Sequence, residues 1–341
     1  MGSYKKILIY GRPYKWGIPY NLKEAFQRVG YKADIFDWTQ YLQRTKKYNL
    51  KNRILDRILI SNTAKKINLS LTSSFKKGKY DLLIVLKGLH LFSETITKIN
   101  KEVPVVNWNL DDFFNPRNNS KYMLKAFDKY DCIFTQRRHL IEEYYKKGAK
   151  RVEPLSCCYI PEFLYPENLS TREIKVFGSD IVFIGTWSRR REEILYMLQD
   201  FNLKIWGNHW NKANKRFHRN ISCSAPIFAD DMRKAIIASK INLNILTIEN
   251  RDTTNLRNFE ISACAGFQLT ERSKEIQELF EEDTDITCFE TVEELVSKCK
   301  YYLEHESERE RIRLNGYKRL INGNHTLLDR AEQILRVVFN E

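Results

Sequence analysis

The chain has 341 residues, a length that predicts two domains at roughly 100–200 residues each. Hydrophobic residues make up 43% and aromatics 13%, enough for two packed cores, which excludes disorder as the dominant state. Lys and Arg (57) outnumber Asp and Glu (43) for a net charge of +14, so an anionic partner is expected: a nucleotide, a nucleic acid or an acidic membrane surface.

Taken in chain order, the first half alternates short apolar runs with helical patterns. Lys6–Tyr10 reads as a strand, followed by a loop carrying Gly11 and Gly17, a helix at about Asn21–Val29 and a second strand at Ala33–Phe36. Asp81–Leu86, Val103–Trp108 and Asp131–Thr135 read as three more strands. The second half repeats the theme with strands at Asp180–Ile184, Leu203–Trp206, Ile241–Ile245 and Phe267–Thr270. Helices fit about Arg191–Leu198, Asp231–Ile237, Asn255–Cys264, Val292–Glu304, Glu308–Asn322 and Leu327–Phe339. Unbroken apolar strands separated by helices predict parallel sheets covered on both faces, an α/β fold.

The polar stretch Tyr165–Gly178 marks the expected boundary. The reading is therefore a first Rossmann-like domain over 1–170, a second over 171–325 and a C-terminal helix over 326–341 that crosses back to the first. Two doubly wound domains in series imply a cleft, with ligands beyond the carboxyl ends of the strands. The loops placed there are Gly11–Gly17, Lys87–Phe92, Asn109–Phe114, Gly185–Arg191, Gly207–Trp210 and Thr247–Asn255.

Seven cysteines without a Cys-x-x-Cys pair read as buried thiols of a cytoplasmic protein rather than as disulfides or a zinc site. No run of about 18 apolar residues and no signal-peptide core are present. Residues 41–80 hold eleven Lys or Arg and one acid, Asp56, which is +10 of the total charge. Leu50, Ile54, Leu55, Ile58 and Leu59 recur there at helical spacing. A basic amphipathic helix would make peripheral contact with an anionic membrane or grip an anionic acceptor. The plainer reading, which the commonness of charged outer faces favours, is a solvated helix whose apolar stripe packs on the sheet.

The most informative segment is Thr247–Thr270. After a strand comes a polar loop, then Thr253 and Thr254 as N-cap candidates, then a helix opening at about Asn255. A helix N-terminus offers unpaired N–H groups and partial positive charge to a phosphate. Arg257 adds a cation able to bind phosphate oxygens in bidentate fashion. Glu260, one turn on, suits a ribose diol. The alternative for this pair is a surface ion bridge, and for Thr254 a cap only. Gly185 and Thr186 precede Arg189, Arg190 and Arg191, where backbone and guanidinium would meet a diphosphate leaving group. Trp210 suits either base stacking or the core edge. Asp111 and Asp112 follow a strand and suit either an acceptor-activating base or a cap; two carboxylates alone are weak grounds for a metal.

NLRNFEISACAGFQLT, with the sequence on through NGYKRL and NHTLLDRAEQIL, resembles the C-terminal region of CgeB-like (spore maturation protein B-like) glycosyltransferases. The resemblance extends through DIVFIGTWSRRREEIL, LKIWGNHW and ASKINLNI, and more weakly through YDLLIVLKG, VVNWNLDDFF and YDCIFTQ. It implies a GT-B fold, a nucleotide-sugar donor held mainly by the second domain, an acceptor at the first, and no metal or other cofactor. In related retaining families a Glu-x7-Glu pair lies at this site. Glu260 matches the second Glu and Asp252 the first, so this chain has Asp-x7-Glu. Arg191 aligns best of the three arginines. The implied donor site is Gly185, Arg191, Trp210, Thr254, Asn255, Arg257 and Glu260. Asp252, Asp111 and Asp112 are the catalytic candidates, and Gly11 and Gly17 belong to an acceptor or diphosphate loop. The acceptor stays open among glycan, protein, small molecule and nucleic acid. The rival readings are a nucleic-acid-modifying transferase that uses residues 41–80, and a non-catalytic nucleotide-sugar-binding or assembly protein.

Overall fold

A computed structural model describes residues 5–42, 62–116, 118–213, 221–250 and 252–340. The chain forms two compact units, Met1–Ser156 with Leu327–Glu341, and Cys157–Thr326. The division falls ahead of the polar stretch at 165–178. Its physical reason is that the residues just after Ser156 are apolar: Cys157, Tyr159 and Leu164 are buried with Phe259, Ile261 and Leu320 of the second unit.

The first unit is built on a six-stranded parallel sheet: β1 (Lys6–Gly11), β2 (Lys32–Asp37), β3 (Leu82–Leu86), β4 (Val105–Asn109), β5 (Cys132–Thr135) and β6 (Val152–Pro154). The order is β2-β1-β3-β4-β5-β6, so the winding reverses between β1 and β3. Register follows the apolar runs, with Ile7 opposite Leu82 and Ile9 opposite Ile84. Helices α1 (Ile18–Arg28), α2 (Asn62–Gly78), α3 (Ser93–Asn100), α4 (Lys121–Leu124) and α5 (Ile141–Lys146) connect the strands.

The part of the basic segment at 43–61, including Leu50, Ile54, Leu55, Ile58 and Leu59, lies outside the described residues. In α2 the stripe Ala64, Ile67, Leu71 and Phe75 is buried at three- to four-residue spacing. Lys65, Lys66, Lys76 and Lys77 face solvent. This part of the segment is thus a packed amphipathic helix with a charged outer face. Among the described residues, no helix is long and apolar enough to cross a membrane.

The second unit begins with α6 (Thr171–Phe177), closed by a Ser170–Glu173 capping box. Its sheet comprises β7 (Ile181–Ile184), β8 (Leu203–Trp206), β9 (Ile221–Ser224), β10 (Ile241–Asn244), β11 (Gln268–Glu271) and β12 (Thr287–Phe289). All pairings are parallel in the order β12-β11-β10-β7-β8-β9, the doubly wound Rossmann order, with its reversal between β7 and β10. Helices α7 (Arg189–Tyr196), α8 (Ala229–Ala238), α9 (Leu256–Ala263), α10 (Lys274–Leu279), α11 (Val292–Glu304) and α12 (Glu306–Ile321) accompany it. The last helix, α13 (Leu327–Phe339), belongs to the first unit. There the Phe339 ring stacks on Tyr31 at 6.1 Å, and Arg330 donates to the Ser156 carbonyl.

All seven cysteines are described; none forms a disulfide and only Cys223 is exposed. Burial pushes the thiols of Cys288 and Cys299 up to about 12. These thiols stay protonated at neutral pH, as packing groups rather than nucleophiles.

Beyond β11, Arg272 pairs with Glu282 (2.7 Å) and Glu294 (3.1 Å), and Lys298 with Glu294 (3.1 Å). Burial raises the Glu294 carboxyl, but the Glu290 amide, Arg272 and Lys298 outweigh it and hold its pKa at about 2. The Arg272 bond lowers Glu282 as well. Depressed carboxylate pKa values stabilise the fold above the ordinary range near 4.5, and that stability is lost as pH falls toward 2. The expected result is a melting temperature that drops across this window, with a smaller drop for Glu294→Gln, measured by calorimetry at stepped pH. Parallel curves for both proteins would contradict it.

Candidate active site

The reversal between β7 and β10 places two loops side by side at the carboxyl edge of the second sheet. The first runs from Gly185 to Ser188. Its Gly185 amide donates to the Trp206 carbonyl at 2.8 Å, and its Gly185 carbonyl accepts from the Trp210 indole at 2.8 Å. The loop after β8 crosses so closely that a Cβ on Gly207 would lie 1.9 Å from the Gly185 oxygen. Only glycine fits there. Ser188 then caps α7, accepting from the Arg191 amide.

Arg191 is buried. It gives Nε and Nη2 to the Ile245 carbonyl (3.1 and 2.6 Å) and Nη1 to the Thr186 carbonyl (2.9 Å). Its guanidinium therefore ties the loop after β7 to the end of β10. Burial pulls its pKa down to about 10; Glu271 opposes this, while the guanidiniums of Arg257 and Arg190 add to it. Arg190 forks onto Glu271, and its Nη1 also donates to the Leu246 carbonyl at 3.1 Å. Glu271, at the end of β11, accepts from the Leu246 amide at 2.6 Å.

The second loop leads into α9. Its N-cap is Asn255, whose side chain accepts from Asn258 N while Asn258 Oδ1 accepts from Asn255 N. Asn244 and Asn255 exchange amide bonds at 3.2 and 3.1 Å, and Asn258 reaches Gln268 and Thr270. This buried amide network fixes the start of α9 against β10 and β11. The amides of Leu256 and Arg257 carry no hydrogen bond among the described residues. Arg257 lies 2.7 Å from Glu260 and also touches Met232 Sδ; the two charged side chains are 19% and 17% exposed.

Several sequence expectations change here. Thr254 is not a cap facing an anion: it is buried, and its amide and hydroxyl both donate to Glu275 Oε2 (2.7 and 3.3 Å). The Gly185 amide is occupied by a strand partner, so it offers a phosphate nothing. Trp210 is a core residue, 6% exposed and edge-on to Phe183 at 6.0 Å. Arg191 is a clamp between loops. Asn255, Arg257 and Glu260 do gather at the start of α9, and Asp252 is exposed in the turn before it.

In the first unit, Asp111 pairs with Lys87 at 2.7 Å, and Asp112 caps its own turn by accepting from Phe114 N and Asn115 N. Gly11 and Gly17 make room for Pro19 and the Tyr14 ring, which a Cβ would meet at 2.7 and 2.5 Å. Among the described residues, no group of three or more His, Cys, Asp or Glu side chains gathers at metal-binding spacing.

Sequence reasoning named Arg190 only as one of three arginines, behind Arg191, and missed Glu271, Glu275 and Asn244. The signal for Glu271 and Asn244 was the run of polar residues within two short strands, QLTE and INLN. Arg190, Arg191 and Arg257 are each held, by Glu271, by the Ile245 and Thr186 carbonyls and by Glu260, beside a helix start with unpaired amides. Such a helix start suits an anion.

The two parallel units define the GT-B fold. Sucrose-phosphate synthase from Thermosynechococcus elongatus is similar over 98% of both chains, at 12% identity and a TM-score of 0.73. Anabaena HepE in complex with UDP and glucose covers 99% of this chain and 100% of its own, at 11% identity and a TM-score of 0.69. A glycosyltransferase from Rickettsia africae covers 99% of both, at 14% identity and a TM-score of 0.69. No curated protein matches in sequence. Residues 189–336 match the family model described as glycosyl transferase-like, a segment that takes in Arg190, Arg191 and the whole of α9. The chain is a glycosyltransferase of the GT-B type.

Proposed function

We propose that the chain transfers a sugar from a nucleoside diphosphate sugar to an acceptor hydroxyl, within the CgeB-like branch and without a metal. The observation that carries this is the start of α9 at the winding reversal, where the amides of Leu256 and Arg257 carry no hydrogen bond among the described residues and Arg257 lies 2.7 Å from Glu260. A UDP-linked donor is favoured because HepE was solved with UDP and glucose. Arg257 and the amides of Leu256 and Arg257 take the diphosphate, and Glu260 exchanges its bond to Arg257 for the ribose diol. Arg191 acts indirectly, by holding both loops in place.

In the reaction the bond from the anomeric carbon to the diphosphate oxygen breaks, and the diphosphate leaves with the electron pair. The acceptor oxygen bonds the anomeric carbon and passes its proton to the departing diphosphate. Arg257 and the start of α9 stabilise the charge that builds on the leaving group, the role a metal plays elsewhere. Asp252, exposed just before α9, is the carboxylate proposed to face the sugar from the retaining side.

Calorimetry with UDP tests this reading. Arg257→Ala and Glu260→Ala are expected to fold normally and to bind UDP roughly 10–100-fold more weakly, since a charged hydrogen bond is worth about 1.5–3 kcal/mol. Turnover of a UDP-sugar panel should fall by roughly 10²–10³ in Arg257→Ala, by analogy with other charge-stabilising sites. Wild-type UDP affinity in both variants would refute the site.

A further inference from the structure

The net charge is unevenly divided between the two units. The first holds 33 Lys or Arg against 17 Asp or Glu, and the second holds 24 against 26. The chain's +14 is therefore +16 on the first unit and −2 on the second. The proposed donor site belongs to the second unit, so a nucleotide does not account for the excess.

Much of that excess sits on one helical face. The connections from β2 through β6 all run in one direction across the first sheet, and right-handed crossovers then place α2, α3, α4 and α5 on the same side. Ile67, Ile96, Met123 and Tyr144, one from each helix, share a single core cluster there. Opposite that core, Lys65, Lys66, Lys76 and Lys77 of α2 are exposed. Lys98 of α3 is exposed too, as are Lys125 and Lys147 at the ends of α4 and α5. None of the seven has an ion-pair partner among the described residues. The same helices carry three acids, Glu94, Glu142 and Glu143, and Glu143 is taken by Lys146 at 2.7 Å. Nearby, Asp128 and Asp131 are paired with Lys129 and Lys150 at 2.6 and 3.6 Å. The field runs about 25 Å along the 17-residue α2 and covers strands β3 to β6, about 15 Å across. Leu69 stands in its middle at 73% exposure, one turn after Lys65 and two turns before Lys76. The inward stripe of α2 already fills the core, so this Leu contributes nothing to the packing.

We infer that this helical face of the first unit docks on an anionic lipid surface, with lysine ammonium groups on the lipid phosphates and Leu69 among the acyl chains. The inference does not depend on the donor site. A broad basic field is drawn to acidic headgroups without needing a shaped pocket. Lysines suit that task, since their long apolar stems let the charge reach headgroups at varied positions. An exposed aliphatic side chain within such a field adds apolar burial at the acyl boundary. Nucleic acid is the competing polyanion, but its phosphates favour the planar fork of Arg, and all seven cations are Lys. Leu69 also offers a phosphodiester nothing.

The test is co-sedimentation of the full chain with vesicles of phosphatidylcholine alone and of phosphatidylcholine doped with phosphatidylglycerol. A duplex DNA oligonucleotide at matched phosphate concentration and UDP calorimetry run on the same preparations. Wild type is expected to sediment with the anionic vesicles, to be released as salt rises, and to leave the neutral ones unbound. Two double variants, Lys65→Glu with Lys66→Glu and Lys76→Glu with Lys77→Glu, should each bind roughly 10–100-fold more weakly. Leu69→Ser should bind roughly tenfold more weakly and keep the salt dependence. All five side chains are exposed, so melting temperature and UDP affinity should stay at wild-type values. Absence of binding to anionic vesicles, equal binding to neutral ones, binding undiminished in both doubles, or tighter binding to DNA than to anionic vesicles would overturn the inference. Loss of UDP binding in wild type with vesicle binding intact would sink the donor reading alone.

Discussion

Glu271→Ala is expected to lower the unfolding free energy by about 2–3 kcal/mol, less than for a fully buried ion pair because the Arg190 side chain is 30% exposed. Glu271 is 8% exposed and holds three donors: the fork of Arg190 and the amide of Leu246. Alanine leaves that amide unpaired and a cation facing a hole. It also unties the ends of β10 and β11, the two strands nearest the start of α9. Glu271→Gln keeps the volume and one acceptor oxygen, so it should lose less. Urea titration reads the difference as a shift in midpoint at similar slope. An unchanged midpoint for alanine would show that Arg190 and Leu246 repair their bonds elsewhere.

The second large effect belongs to Arg191. Arg191→Ala strands the carbonyls of Ile245 and Thr186, each worth about 1–3 kcal/mol when left unsatisfied. Part of this is returned because a charge need no longer be buried, so the expected net loss is about 2–4 kcal/mol. Arg191→Lys should recover less than half of it, since an ammonium cannot fork to two carbonyls in the plane of a guanidinium. The contrast with Arg257→Ala is the informative comparison. Arg257 is partly exposed and makes no bond to another backbone segment among the described residues, so its loss should weaken UDP binding with little change in stability. Should Arg191→Ala keep its urea midpoint and lose UDP, the residue would be a direct ligand and not a clamp.

The central strands were legible because they are buried on both faces. KILIYG, LLIVL, CIFT and IVFI carry unbroken apolar runs that no surface element would tolerate. The strands at Val152–Pro154, Ile221–Ser224 and Thr287–Phe289 were not. Each is three or four residues long at a sheet edge, and in the first two only the opening residue is buried. Around α9, composition picked out the stretch Thr247–Thr270 but could not orient its side chains. Thr254 turns inward because Glu275, 21 residues later, accepts from it. Arg190 turns toward Glu271 across 81 residues of sequence. Partners so distant leave no local pattern. The cap is Asn255 rather than a threonine because Asn244 and Asn258 supply a matching amide network.

The segment Leu327–Phe339 completes a unit that begins some three hundred residues earlier. Domains ordinarily mature on the ribosome in the order they are made. Here the intervening unit has left the exit tunnel in full before the final helix of the first one emerges. The Tyr31 ring and the Lys5 ammonium, which both meet Phe339, must wait for it. Nascent chains should therefore complete the second unit first and the amino-terminal unit last.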